Sequence, residues 1–211
     1  MAETNLRKAS ASTDRLEDSL RGVSKGQVSI KSVDSKTVEP IVEQYPFRTQ
    51  DIILGRLSYK EESNYTSGRT IPVDFQFRTG SNLFLTEVQT DIPSLDLVTT
   101  QFTEATSRAL KIYRNLHAPE DALWDFLMIA DRILEITVLD QGEEVRYEDV
   151  DGVDREDVVG GYAIESASVG FVEKGNEIFV EYRGGSIQVE SEWELGREYI
   201  VQTFEREVLS E

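Results

Sequence analysis

Hydrophobic and polar residues alternate with period two along several stretches of this chain, and two of those stretches run on into a helical period. Over 73–78, Val73, Phe75 and Phe77 fall on one face and Asp74, Gln76 and Arg78 on the other. That is the pattern of a strand with one buried side. The turn Thr79-Gly80-Ser81-Asn82 leads to a second strand, 83–89, with Gly and Asn supplying the left-handed conformations a hairpin turn uses. After Pro93-Ser94 the period changes. Val98, Phe102, Ala105, Ala109 and Ile112 recur at spacings of four and three, predicting one long amphipathic helix to about residue 114. Asp96 in its first turn and Lys111 and Arg114 in its last suit the helix dipole.

Other segments follow the same logic. Residues 27–33 and 52–60 alternate as strands, with a short helix expected from Pro40 to about Tyr45 and stopped by Pro46. PEDALWDFLMIAD (119–131) predicts a helix with Leu123, Phe126, Leu127 and Ala130 on one side, and Trp124 and Trp193 are expected in the core. Strands follow at 133–139, 162–172, 178–183 and 186–191. Residues 140–160 read as an acidic loop, with the second half's short helix expected at Asp154–Val158. A capping box, Ser191-x-x-Glu194, predicts the start of a last helix bearing Leu195, Tyr199, Ile200, Phe204 and Val208. Residues 1–26 have few apolar anchors and read as a polar, flexible tail.

The two hairpins resemble each other. Phe77-Arg-Thr-Gly-Ser81 aligns with Tyr182-Arg-Gly-Gly-Ser186, Val73 and Phe75 with Ile178 and Val180, and VTTQF (98–102) with IVQTF (200–204). The expectation is an α+β fold of two pseudo-repeats of β-α-β-β-β-α, forming a curved antiparallel sheet backed by two long helices. Residues 27–115 and 133–211 would be the halves, and 116–132 a connecting helix. This element order, with an aromatic and a short Gly-Ser turn on each hairpin, resembles the TATA-box-binding protein family. Here the family's turn lysine is replaced by Ser81 and Ser186, and its Thr-Gly-Ala and Phe-Pro-Gly signatures are absent. The family's saddle lays an apolar sheet face in the DNA minor groove and wedges phenylalanines between base steps. The resemblance implies a nucleic-acid or transcription-related partner. Gln76, Arg78, Arg183 and Gln188 on the outward sheet face become the candidate binding residues, with Arg78 and Arg183 a matched pair for phosphates or acidic groups.

Composition changes this picture. Forty acidic residues against 22 basic give a net charge of −18, with 15 Arg to 7 Lys. Acid-rich, lysine-poor usage across a folded chain is the composition of a salt-adapted protein. Near molar salt, screening falls to about 3 Å and mutual carboxylate repulsion is tolerated. At low salt the same charge disfavours phosphate contacts. Because Asp74, Glu181 and Glu190 share the outward face, a protein-interaction module without nucleic-acid contact is the second reading. No stretch is apolar enough to span a membrane and residues 1–15 hold no secretory core segment, so a cytoplasmic address is expected.

Dedicated chemical motifs are scarce. With no Cys and a single histidine, His117, neither a thiolate nor a histidine-rich metal site can be assembled. His117, just past a helix C-terminus, reads as a capping or surface residue. Asp149-Val-Asp-Gly-Val-Asp154 fails as a calcium loop, because Tyr147 and Val158 occupy its ligand ends. The third reading is a degenerate PD-(D/E)xK-like nuclease, with Asp74 and Glu87 as metal-holding carboxylates. Gln89 then stands where that motif needs a lysine, and Lys111 would have to replace it. The leading expectation is a non-enzymatic binding protein with no cofactor and no metal, its partner either nucleic acid or another protein.

Overall fold

Most of the alternating segments do pair as antiparallel strands. The computed structural model describes residues 3–61, 68–88, 94–150 and 152–210, the side chain of Arg155 excepted. Gln89, Pro93, Asp151 and most of the 60–70 loop lie outside the described residues. Twelve strands and five helices are present among the described residues. The chain divides into two compact units, residues 3–39 with 47–116 and residues 40–46 with 117–210.

The first unit holds β1 (Thr4–Ala11), α1 (Leu16–Leu20), β2 (Ser24–Lys25), β3 (Val28–Thr37), β4 (Asp51–Glu61), β5 (Arg69–Arg78), β6 (Leu83–Val88), α2 (Leu95–Ala105) and β7 (Leu110–Ile112). Its sheet runs β2-β3-β4-β5-β6-β1, and β7 also pairs with β1. Ile71, Val73, Phe75 and Phe77 line one face of β5 and are all buried. Phe102 of α2 lies 5.1 Å from Phe75 and 6.0 Å from Phe84, ring centre to ring centre. Truncating such a ring costs roughly 3–5 kcal/mol. Leu83 and Leu85 on the opposite face of β6 are buried as well.

The second unit holds α3 (Glu120–Met128), β8 (Arg132–Asp140), β9 (Glu143–Arg146), α4 (Arg155–Val158), β10 (Ile164–Glu173), β11 (Asn176–Arg183), β12 (Ser186–Ser191) and α5 (Gly196–Val208). Its strands are ordered β12-β11-β10-β8-β9. Phe126 of α3 sits 5.2 Å from Phe204 of α5 and 5.8 Å from Phe171 of β10. Trp124 is buried and its indole N–H donates to the Tyr162 carbonyl at 2.9 Å.

Several expectations need correction. The architecture is strand-dominated and has no pair of long backing helices: α2 spans 11 residues and α5 13. The stripe Val98–Phe102–Ala105 stops there because Ser107 and Arg108 adopt left-handed backbone, at φ 53° and 66°. Thr106 donates its hydroxyl to the Thr103 carbonyl, and Thr103 Oγ1 accepts from the Ile112 amide. Ile112 thus belongs to β7 opposite Ala9 of β1, with Leu110 opposite Ala11. Residues 1–26 are no flexible tail either, since β1, α1 and β2 lie there and Leu6, Ala9, Leu16 and Leu20 are buried. Buried Arg7 is satisfied by Asp96 at 2.8 Å, Thr99 at 3.2 Å and Asn5 at 2.8 Å, so a strand this polar still enters the sheet.

Residues 40–45 form a bend and a turn rather than a helix, and they belong to the second unit. Gln202 of α5, fully buried, accepts from the amides of Ile41 and Val42 at 2.9 and 3.3 Å. The Tyr45 hydroxyl donates to Glu205, and Arg206 donates to the Glu43 carbonyl at 3.1 Å. The α3 segment is no mere connector, because Phe126 is a core residue of the second unit. In the acidic 140–160 stretch the short helix expected at 154–158 is present as α4, but the stretch also holds β9 and buries Tyr147, Val150 and Val158. The capping box does not form. Ser191 Oγ instead accepts from the Trp193 amide at 3.1 Å and donates to the Glu177 carbonyl at 3.0 Å, and α5 begins at Gly196.

Candidate interaction groove

The sequence-predicted site residues fall into different surroundings. Arg78 is fully buried, opposite Leu83 in the β5–β6 register and Ile52 in the β4–β5 register. Gln76 is half-buried between Leu54 and Leu85. In the second unit Arg183 is exposed beside a two-residue turn, and Gln188 is half-buried opposite Glu181. The two arginines aligned by sequence are therefore not equivalent.

Asp74 and Glu87 do stand directly opposite each other on β5 and β6. Asp74 is held by a bidentate Arg56, at 2.5 and 2.8 Å. Lys111 sits on β7, opposite Ser10 of β1, whereas Glu87 is opposite Thr4. Six residues of strand separate those positions, roughly 20 Å. The Lys111 ammonium lies 4.6 Å from the centre of the Tyr113 ring. The pair of carboxylates is thus assembled without its lysine. His117 is exposed and in left-handed backbone, at φ 56°. Among the described residues no three His, Asp or Glu side chains gather closely enough to hold a metal ion.

A groove in the second unit was not singled out by the pattern. Its volume is about 790 Å³, and Arg132, Val172, Phe179, Glu190, Glu192 and Trp193 are among its lining residues. Local sequence explains how each part arises. Lys174-Gly175 turns β10 into β11 with φ of 50° and 81°, the doubly left-handed geometry of a tight hairpin. Along β11, Ile178 and Val180 point into the core, which turns Glu177, Phe179 and Glu181 outward. Phe179 faces Gly170 on β10 and Glu190 on β12, and the missing side chain at Gly170 leaves room beside the ring. Past β12, the Ser191 hydroxyl folds the chain so that half-buried Trp193 closes one end, its ring 6.0 Å from that of Tyr199.

No protein-family model matches this chain, and no curated protein matches it either. The groove must be read from its own chemistry.

Phe179 is 37% exposed and Val172 41%, and the two large apolar side chains share one concavity. Arg132 is the one cation of the lining, and Glu177 takes it at 3.5 Å. Glu190 and Glu192 have no ion-pair or hydrogen-bond partner among the described residues. The groove offers apolar surface rimmed by uncompensated negative charge. The signal available in sequence was Phe179 itself, an aromatic on the polar side of an otherwise regular alternation.

Proposed function

We propose that this chain is a non-enzymatic protein-interaction module whose contact surface is the groove between β10, β11 and β12 of the second unit. The observation that carries this reading is the exposure of Phe179 and Val172 inside a concavity rimmed by Glu177, Glu190 and Glu192. Partner recognition uses buried apolar anchors with a polar rim. A nucleic-acid face fits less well. Phe75 and Phe77, the phenylalanines nearest the turn that resembles the TATA-box-binding family, are buried at 3% and 1% exposure. Arg78 is buried too, and carboxylates repel phosphates. The nuclease reading is disfavoured by the Arg56–Asp74 pair and by the distance to Lys111.

Two measurements test this. Affinity purification of the tagged chain after nuclease treatment, with bound proteins identified, should lose the same specific partner with Phe179→Ala and with Trp193→Ala. Duplex DNA titrated by fluorescence anisotropy should not bind in 0.1 M or 2 M KCl. Saturable DNA binding lost on Arg183→Glu would overturn the reading. The acid-rich, lysine-poor composition supports a salt-adapted setting, for which melting temperature should rise from 0.1 M to 2 M KCl.

A further inference from the structure

We infer that the occupant of this groove is an extended peptide segment that presents arginine and an aliphatic residue in alternation along one face, at every second position. The inference rests on the interaction reading above and names the partner's chemistry.

Charge complementarity is the first argument. Where carboxylates of this chain meet an arginine nearby, they take it: Arg56 holds Asp74 at 2.5 Å, Arg69 holds Glu61 at 2.5 Å, Arg146 holds Glu135 at 2.9 Å and Arg7 holds Asp96 at 2.8 Å. In the groove the only cation is already engaged with Glu177, which leaves Glu190 and Glu192 to a cation from outside. A guanidinium fits best, because it pairs with a carboxylate bidentately and stacks on an aromatic face. Phe179 and Trp193 supply such faces beside the free carboxylates.

The apolar part is the second argument. Val172 and Phe179 would remain wet beneath a small polyamine, and an aliphatic side chain next to the arginine covers them. A volume of about 790 Å³ suits a short segment, within the roughly 300–1,000 Å³ of sites that enclose drug-sized ligands. Outward residues of a strand are two positions apart. An extended peptide likewise shows every second side chain to one face, so an aliphatic residue over Phe179 and an arginine over its cross-strand neighbour Glu190 stand two positions apart.

The experiment uses the whole chain and a fluorescein-labelled heptapeptide with arginine and leucine alternating at its odd positions and serine between them, read by anisotropy. Saturable binding is expected in 0.1 M KCl. Glu190→Gln with Glu192→Gln should weaken it about tenfold there and about twofold in 1 M KCl, where screening removes the charge contribution. Phe179→Ala should weaken it about tenfold at both salts, because its share is apolar. Circular dichroism melts of these outward-facing variants confirm an unchanged fold. No saturable binding, or binding by either variant as tight as by the unaltered chain in 0.1 M KCl, overturns the inference. Full competition by spermidine overturns it in favour of a small cation. Equal or tighter binding of the glutamate–leucine counterpart overturns the partner chemistry alone, leaving the interaction reading to stand or fall on the purified partner's dependence on Phe179.

Discussion

The two hairpins that share an Arg-x-Gly-Ser turn end in opposite circumstances. In the first unit, four residues link Arg78 to Leu83, and the Gln50 side chain plugs the turn by accepting from the Gly80 and Ser81 amides at 3.0 and 3.2 Å. The turn is packed, and Arg78 is shut away with it. In the second unit Gly184-Gly185 joins Arg183 directly to Ser186, nothing lies where a side chain on either glycine would be, and Arg183 faces solvent. Similar letters sit in dissimilar surroundings because turn length and neighbouring strands decide what a residue meets. The outward faces differ in the same sense. Beside the first hairpin, Asp74 is neutralised by Arg56, and beside the second, Glu190 is left open next to an exposed ring. The outward carboxylate of the first hairpin has a partner, and that of the second has none among the described residues.

The largest test of this contrast is the arginine pair. Arg78→Ala should destabilise the chain by about 3 kcal/mol in urea titration, since it empties a buried site and strands the groups around it. Arg183→Ala should change stability by no more than about 0.5 kcal/mol. Equal effects would erase the distinction between the turns.

Next comes the clasp of the second unit. Tyr45→Phe removes the hydroxyl that Glu205 accepts while keeping the ring, and should cost about 1.5–3 kcal/mol. A smaller effect on this buried bond would show that the 40–46 segment is not held by α5.

A subtler comparison concerns opposite positions on the two hairpins. Phe75 faces Thr86, whose buried hydroxyl has no hydrogen-bond partner among the described residues, and at the aligned place in the second hairpin Val180 faces Val189. Thr86→Val should raise stability by about 1 kcal/mol, because it removes an unsatisfied polar group at nearly constant volume.

The smallest effect is electrostatic. The hydrogen bond from Arg7 holds the Asp96 carboxyl below its ordinary 3.8, with Arg114 adding to the pull. A depressed acid contributes stability that is present above its unfolded value and is lost as pH falls through its folded one. Asp96→Asn should therefore flatten the loss of stability below about pH 4. The gain in flatness should stay under about 1 kcal/mol, because the side chain is 38% exposed.

Much of the sheet was legible. Alternation located β3 to β6, β8 and β10 to β12, and the helical period located α3. The missed elements share a cause. β1 carries only Leu6 and Ala9 as buried apolar groups, and the partners that let Arg7 enter the sheet, Asp96 and Thr99, lie about ninety positions away. Nor does local spacing reveal that Ala109 and Ile112 continue the α2 stripe only by coincidence, because β1 competes for them as a strand. In 140–160 the dense acids masked Tyr147, Val150 and Val158. The groove escaped notice because it depends on the place of Gly170 opposite Phe179, which is register and not composition.

Hydrogen–deuterium exchange of the whole chain, with and without saturating arginine–leucine heptapeptide, tests most directly which unit meets the partner. Slower exchange should be confined to residues 172–179 and 190–193. Protection falling instead on 69–78 and 83–88 would contradict the account.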